Sequence, residues 1–251
     1  MNAMNAGPDV HVVAMGDILL DRIQEKRTAL KLKYKDQVDV TDERCFAGFD
    51  SYKHVIEASD VVIIANAAKF HSYYAKTAIE AGRHVFVEKP HAIDPVGIQR
   101  LNAAIALAKQ KGLCLVSGLQ SRYHPGYIET MQRVHDGAIG KIVAIQETWL
   151  RPPYVLRERR PGMSELLFQG SNQYHFRWLS GDDVPQTLIH NLDRSSWALG
   201  NAAPLWAWGM GGRSTLKGEI YGDVFDHNSV VYEFPEGVRV YAACRTIDNC
   251  Y

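Results

Sequence analysis

Short, unbroken apolar runs alternate with amphipathic stretches through the first half of the chain. Residues 10–16 (Val-His-Val-Val-Ala-Met-Gly) read as a strand closing on Asp17, and residues 21–34 are polar and helix-favouring. The rhythm repeats: Asp60-Val-Val-Ile-Ile-Ala65 is β-branched and apolar, residues 70–80 are Ala-rich, and Gly82 ends the predicted helix. Residues 84–87 form the next strand. Asp94 is placed to cap a helix whose apolar positions Ile98, Leu101, Ile105 and Ala108 follow helical spacing up to Gly112, and residues 113–117 form another strand. Strands that are apolar throughout are buried on both faces, which is how a parallel α/β sheet reads.

Beyond Gly118 the pattern changes. A helix is predicted over 122–135, a longer strand over 141–150, an Arg- and Pro-rich loop over 151–161 and a helix over 186–199. Alternating segments at 229–234 and 238–244 read as antiparallel strands. The fold class is therefore α/β: an incomplete Rossmann-type parallel sheet over residues 1–120, the nucleotide-binding domain, followed by an α+β domain with a largely antiparallel open sheet over 121–251. A dinucleotide fold delivers its first strand into a Gly-rich turn at a helix N-terminus, where backbone N–H groups hold the pyrophosphate. The sequence contains no such turn, and no closing helix follows residues 238–244. Both ends are thus expected to be cut, with the first Gly-rich strand and the C-terminal end missing.

Composition narrows the function classes. With 28 Lys+Arg against 28 Asp+Glu the formal charge is zero, so no global positive field favours nucleic acid or an anionic membrane surface. No apolar stretch approaches the roughly 18 residues that span a bilayer. Cys45, Cys114, Cys244 and Cys250 show neither a CxxC pair nor zinc spacing, so reduced thiols are expected and no metal site. A cytoplasmic location is the matching expectation.

The most specific stretch is Gly82-Arg-His-Val-Phe-Val-Glu88-Lys89-Pro90, a strand ending in Glu-Lys-Pro at the carboxyl edge of a parallel sheet, where ligands of open α/β sheets bind. Together with Asp60-Val-Val-Ile-Ile-Ala65, His71, the helix at 75–81 and Leu-Val-Ser-Gly118, it resembles the nucleotide domain of the Gfo/Idh/MocA oxidoreductase family. A second stretch, Gln186-Thr-Leu-Ile-His190-Asn-Leu-Asp193, resembles the family's Asp-x-x-x-His-x-x-Asp motif, with Gln186 where Asp is common. Positions i, i+4 and i+7 predict one helix face for Gln186, His190 and Asp193, turned toward Lys89 across a crevice.

The resemblance implies NAD-dependent hydride removal from a hydroxyl-bearing carbon of a sugar or polyol, with NADP less favoured. Lys89, His190 and Asp193 are the catalytic candidates. Imidazole titrates near neutrality unaided, whereas a Lys needs burial or a neighbouring cation to do so, so His190 is expected to be the base, Lys89 the orienting group and Asp193 a polarising neighbour. Asp17 closes a strand where a carboxylate accepts ribose hydroxyls and repels a 2′-phosphate, though it also fits a helix cap. Asn66, His71, Glu88, Lys89 and Arg122 complete the expected cofactor set, Arg122 being equally suited to a structural ion pair. Tyr154, Arg157, Tyr174, His175 and Gln186 are the expected substrate contacts, since aromatic faces pack on the CH side of a pyranose. A homo-oligomer through the second-domain sheet is expected as well. Two rivals stand beside the dehydrogenase: a cofactor-free binding or assembly protein, and an NAD-dependent glycosidase without net redox change.

Overall fold

The computed structural model describes residues 3–249, so the thiol expected at Cys250 lies outside the described residues. Two compact units result. The first gathers 3–66, 70–87 and 98–116, and the second gathers 67–69, 88–97 and 117–249.

In the first unit β1 (Met15–Asp17) runs parallel to β2 (Cys45–Ala47), and α1 (Leu20–Tyr34) follows β1. The strand expected at 10–16 is shorter and lies later. Val12 makes only an isolated bridge to Val38, because the partner chain leaves after Val38 and turns at Asp42–Arg44 before rejoining at Cys45. A helix not foreseen from the sequence, α2 (Ser51–Ala58), leads to the three-stranded sheet β3 (Val61–Ile64), β4 (His84–Val87) and β5 (Leu115–Ser117). Between these strands run α3 (His71–Glu80) and α4 (Pro95–Lys111). Asp94 Oδ1 accepts the Gly97 N–H at 2.7 Å, the expected cap. The core holds Ile56 of α2, Val62 and Ile64 of β3, Val85 and Val87 of β4, Ala75, Ala78 and Ile79 of α3, and Leu101 and Ala108 of α4. Ile79 is fully buried, and truncating such a residue to Ala typically costs about 2–5 kcal/mol.

In the second unit α5 (Pro125–His135) precedes β6 (Ala144–Arg151), and two short helices, α6 (Glu165–Ser171) and α7 (Arg177–Ser180), follow the Arg-rich loop. The segment expected as a single helix over 186–199 opens with a π turn, Val184–Leu188, which runs into α8 (Ile189–Ala198). The sheet has the order β6, β9 (Arg239–Thr246), β8 (His227–Glu233), β7 (Trp206–Gly212). β8 is antiparallel to both neighbours, as expected for its pairing with β9, while β6 lies parallel to β9. The face packed on α8 and the π turn carries Leu188, Ala242 and Cys244 with Trp149, Leu192 and Tyr232. The opposite face is open: Trp206, Trp208, Met210 and Tyr241 are 42%, 56%, 72% and 45% exposed.

Candidate active site

Glu88 and Lys89 leave the carboxyl end of β4, and the Lys89–Pro90 peptide is cis. Gly118 makes room for them: a Cβ there would stand 2.9 Å from Glu88 Cδ and 3.0 Å from its Cα. The Lys89 N–H donates to Glu88 Oε2 at 3.2 Å, and Lys89 Nζ donates to the Gln186 carbonyl oxygen at 2.5 Å. This last contact depends on the π turn. A π turn widens the helical ladder by one residue and recurs at functional sites, and here a backbone oxygen within it accepts from an ammonium. Gln186 therefore contributes through its carbonyl, while its side chain is buried. The expected single α face for Gln186, His190 and Asp193 is corrected accordingly: the α register begins only at Ile189, downstream of Gln186.

His190 lies on the first turn of α8 with its ring 5.6 Å from that of Trp149. Its Nδ1 is buried and has no hydrogen-bond partner. Burial, the charge of Lys89 and that of Arg194 together hold His190 below its ordinary value, so the imidazole is neutral at pH 7 and able to accept a proton. Lys89 is lowered as well, chiefly by burial and further by Arg151, against the pull of Glu88 and Asp183.

Two residues that the sequence reading passed over complete this cluster. Asp183 is 6% exposed; its Oδ1 accepts from Arg151 Nη2 at 2.8 Å and from Thr187 Oγ1 at 2.6 Å, and its Oδ2 from Thr246 Oγ1 at 2.6 Å. Arg151 and Thr246 sit opposite one another at the ends of β6 and β9, and Thr187 belongs to the π turn. One carboxylate thus ties two strand ends to the turn that presents the Gln186 carbonyl. The available signal was Arg151 at the end of a predicted strand and an Asp182-Asp183 pair just ahead of Pro185.

Arg151 also stacks 3.5 Å from the Tyr154 ring, whose other neighbour is Tyr174 at 4.0 Å between centroids, nearly parallel. The Tyr154 hydroxyl bonds with Thr187 Oγ1 at 3.1 Å. Tyr154, Tyr174, His175 and Gln186 line one small cavity with Arg151 and Asp183. His175 is 2% exposed, its Nε2 has no partner, and burial lowers its pKa against hydrogen bonds to the Tyr154 and Val155 backbone. Arg157 is not in that group: its backbone is clamped by Asn172, whose side chain bonds the Arg157 N–H and carbonyl at 2.8 and 2.9 Å, while its own side chain is exposed.

Arg122 and Asp193 pair with each other. Arg122 Nε reaches both Asp193 carboxylate oxygens at 3.0 Å and Nη2 reaches Oδ1 at 2.8 Å. Nη1 donates to Asn201 Oδ1 at 2.7 Å, and the guanidinium lies 4.7 Å from the Trp197 ring. The structural reading of Arg122 is thus the one the geometry displays.

The remaining expected residues lie in the first unit. Asp17 ends β1, where its Oδ1 accepts the Leu19 N–H at 3.0 Å just ahead of α1. His71 is 1% exposed at the start of α3, and its Nε2 bonds the Asn66 carbonyl oxygen at 2.9 Å. Among the described residues no group of three or more His, Cys, Asp or Glu side chains is gathered as a metal site, and no helix is long and apolar enough to cross a membrane.

Residues 1–119 match the profile of the oxidoreductase family with an NAD-binding Rossmann fold, Gfo/Idh/MocA. Over these residues, just under half of the chain, it is similar to this family. Gfo/Idh/MocA relatives include a dTDP-3,4-didehydro-2,6-dideoxy-alpha-D-glucose 3-reductase of Actinomadura kijaniata, 29% identical over 130 residues, which are 50% of this chain and 38% of that protein. An inositol 2-dehydrogenase of Salmonella typhimurium is 25% identical over 198 residues, 78% of this chain and 48% of the relative. The chain thus spans about half or less of these curated relatives. Among solved structures, the aldose-aldose oxidoreductase from Caulobacter crescentus superposes with a TM-score of 0.72 at 19% identity, covering 100% of this chain and 67% of that one. GenD2 from gentamicin A biosynthesis, solved in complex with NAD, gives 0.71 at 20% identity over 97% of this chain and 61% of its own. These two likenesses concern the fold.

Proposed function

We propose that the second unit carries the chemical half of an NAD-dependent dehydrogenase acting on a sugar or polyol. The observation that carries this reading is the neutral imidazole of His190, its Nδ1 buried without a partner, within reach of the charge of Lys89. When bound, the nicotinamide ring supplies the hydride acceptor. His190 takes the hydroxyl proton, since a buried, unpartnered ring nitrogen held below 6.5 is a ready acceptor at neutral pH. Lys89, fixed by the Gln186 carbonyl, keeps two further N–H donors for the substrate oxygen. Tyr174, 39% exposed at the end of the Arg151–Tyr154–Tyr174 stack, offers an aromatic ring to the CH side of a sugar. Asp193 stabilises α8 through Arg122 and does not enter the proton transfer.

Asp17 supports NAD over NADP: with Oδ1 occupied by the Leu19 N–H, Oδ2 remains to accept a ribose hydroxyl, and the negative charge opposes a 2′-phosphate. The pyrophosphate end fits less well: as the ribose acid, Asp17 would stand about 20 residues beyond a Gly-rich turn, and the described residues ahead of it, 3–16, contain no such turn. Titrating NADH and following its fluorescence tests the cofactor half of the proposal. Saturable binding weakened tenfold or more by Asp17→Ala supports it, and no binding at about millimolar NADH, a free energy near −4 kcal/mol, defeats it. The proposal extends to a two-fold homodimer through the open sheet face, where Trp206, Trp208, Met210 and Tyr241 form an apolar surface suited to self-association. Sedimentation of the native chain and of Trp208→Glu checks this: the variant is expected to be the lighter species.

A further inference from the structure

The hydrogen bonds around Asp183 all run in one direction. An ionised carboxylate only accepts, so Arg151 Nη2, Thr187 Oγ1 and Thr246 Oγ1 are the donors to it. A hydroxyl has one hydrogen and two lone pairs. Thr187 gives its hydrogen to Asp183, so its oxygen receives the other two contacts, from Arg151 Nε at 3.3 Å and from Tyr154 at 3.1 Å. The Tyr154 hydroxyl is therefore the donor in its bond with Thr187. Three partners thus hold one side chain in the middle of the π turn. The consequence passes to the backbone: the Gln186 carbonyl and the Thr187 N and Cα belong to a single planar peptide unit. Anchoring Thr187 sets the direction of that carbonyl, to which Lys89 Nζ donates at 2.5 Å.

We infer that Asp183 is a positioning residue for Lys89: through Thr187 it fixes the peptide plane whose carbonyl receives Lys89 Nζ, and its charge offsets that of Arg151 beside the same ammonium. The inference rests on the orienting role given to Lys89 above. Four charged or titratable groups act on Lys89 or feel its charge: Glu88 next to it in the chain, Arg151 at the end of β6, Asp183 just ahead of the π turn and His190 on α8. Glu88 and Asp183 favour the ammonium, burial and Arg151 oppose it, and His190 is neutral near pH 7. Asp183 and Arg151 form one ion pair, 2.8 Å apart, yet they act on Lys89 with opposite sign. Thr246 supplies the contrast. It bonds the same carboxylate at the other oxygen and belongs to β9, so it braces Asp183 without lying on the path through Thr187 to the Gln186 carbonyl. A carboxylate that served only to tie strand ends together would need Thr246 as much as Thr187.

The test follows the titration of Lys89 in the full chain by NMR of isotope-labelled lysine side chains, the signal being assigned with Lys89→Arg. Asp183→Asn keeps the shape and removes the charge, and is expected to lower the Lys89 midpoint by about one pH unit. Arg151→Gln is expected to raise it. Thr187→Val, which cuts the link to the turn and leaves the carboxylate in place, is expected to lower it, whereas Thr187→Ser keeps the hydroxyl and should titrate as the native chain does. Thr246→Val should lose stability in urea and leave Lys89 unmoved. An unchanged midpoint in Asp183→Asn, a shift of the same sign in Asp183→Asn and Arg151→Gln, or a Thr246→Val shift equal to that of Thr187→Val overturns the inference. Should Asp183→Asn not fold, the two Thr187 variants decide the matter. The titration needs no turnover, so the two proposals fail separately. The expected shifts in a chain that binds no NADH uphold the positioning role and refute the dehydrogenase reading; saturable NADH binding with a native Lys89 midpoint in Asp183→Asn upholds the cofactor half of that reading and refutes the positioning role.

Discussion

Asp193→Ala distinguishes a structural from a chemical role for the acid of the second motif. The carboxylate takes three side-chain bonds from Arg122 at 2.8–3.0 Å, and the two side chains are only 9% and 27% exposed. Removing one partner strands a guanidinium with Asn201, the Asp193 carbonyl and the Trp197 ring, at a cost of about 2–4 kcal/mol. All five tryptophans, Trp149, Trp178, Trp197, Trp206 and Trp208, lie in the second unit, so their fluorescence follows its unfolding alone. With a urea dependence of about 3 kcal/mol per M, the midpoint is expected to fall by roughly 1 M. Arg122→Ala should cost a similar amount and the double variant little more than either, giving a coupling of about 2 kcal/mol. A coupling under about 0.5 kcal/mol, or an unshifted midpoint with turnover abolished, would refute the ion-pair role and return Asp193 to the chemistry.

Three further outcomes follow from the same geometry. If the chain is the dehydrogenase proposed above, its NAD-dependent oxidation of a sugar or polyol, followed by nicotinamide absorbance, should rise with pH through a midpoint below the ordinary imidazole value, because burial and the Lys89 charge lower His190; His190→Gln should remove that limb and lower the rate by about 10²–10⁴-fold, and an unchanged profile would exclude His190 as the base. Gly118→Ala should lower turnover without unfolding the chain, since the new Cβ presses on the Glu88 carboxyl and Cα beside Lys89, and wild-type kinetics in a soluble variant would show that the spacing is immaterial. Asp226, 1% exposed, is raised by burial but lowered further by the N–H groups of Leu216, Thr215 and Ser214 and by His227. Its folded-state value therefore lies below the unfolded one, and its contribution is present near neutrality and lost as pH falls through and below the ordinary carboxylate range. Acid unfolding monitored by tryptophan fluorescence should lose that extra sensitivity in Asp226→Ala, whose stability is expected to be lower at pH 7 by about 2–4 kcal/mol.

What the sequence discloses depends on whether a pattern is local. The strand at His84–Val87 is found as expected because three consecutive apolar positions, Val85, Phe86 and Val87, are bounded by Gly82 and by Glu-Lys-Pro. α2 escapes notice because it has only eight residues, and its three core-facing side chains, Tyr52, Val55 and Ile56, span little more than one turn, too short for a helical period to show. β7 is hidden differently: in Trp-Ala-Trp-Gly-Met-Gly-Gly the large side chains point outward, and Gly209 and Gly211 face β8, where an added Cβ would meet the Ser229 carbonyl and the Asn228 side chain. The alternation is present with its usual meaning inverted. Lys89 and His190 are legible through their surrounding motifs, whereas Arg151 and Asp183 are joined only by tertiary pairing of strand ends, which no spacing along the chain records.

The π turn at Val184–Leu188 has a bearing on how this chain is compared with others. Its wider winding is equivalent to one residue added to an α-helix, and each residue of an α-helix advances the side-chain direction by about 100°. A relative that winds this segment as plain α-helix, aligned without a gap, will have its side chains matched to the wrong azimuth from residue 189 onward. Deletions here are correspondingly severe: shortening the segment by one position would turn His190 and everything after it in α8 by more than a quarter of a circle, however conservative the remaining residues.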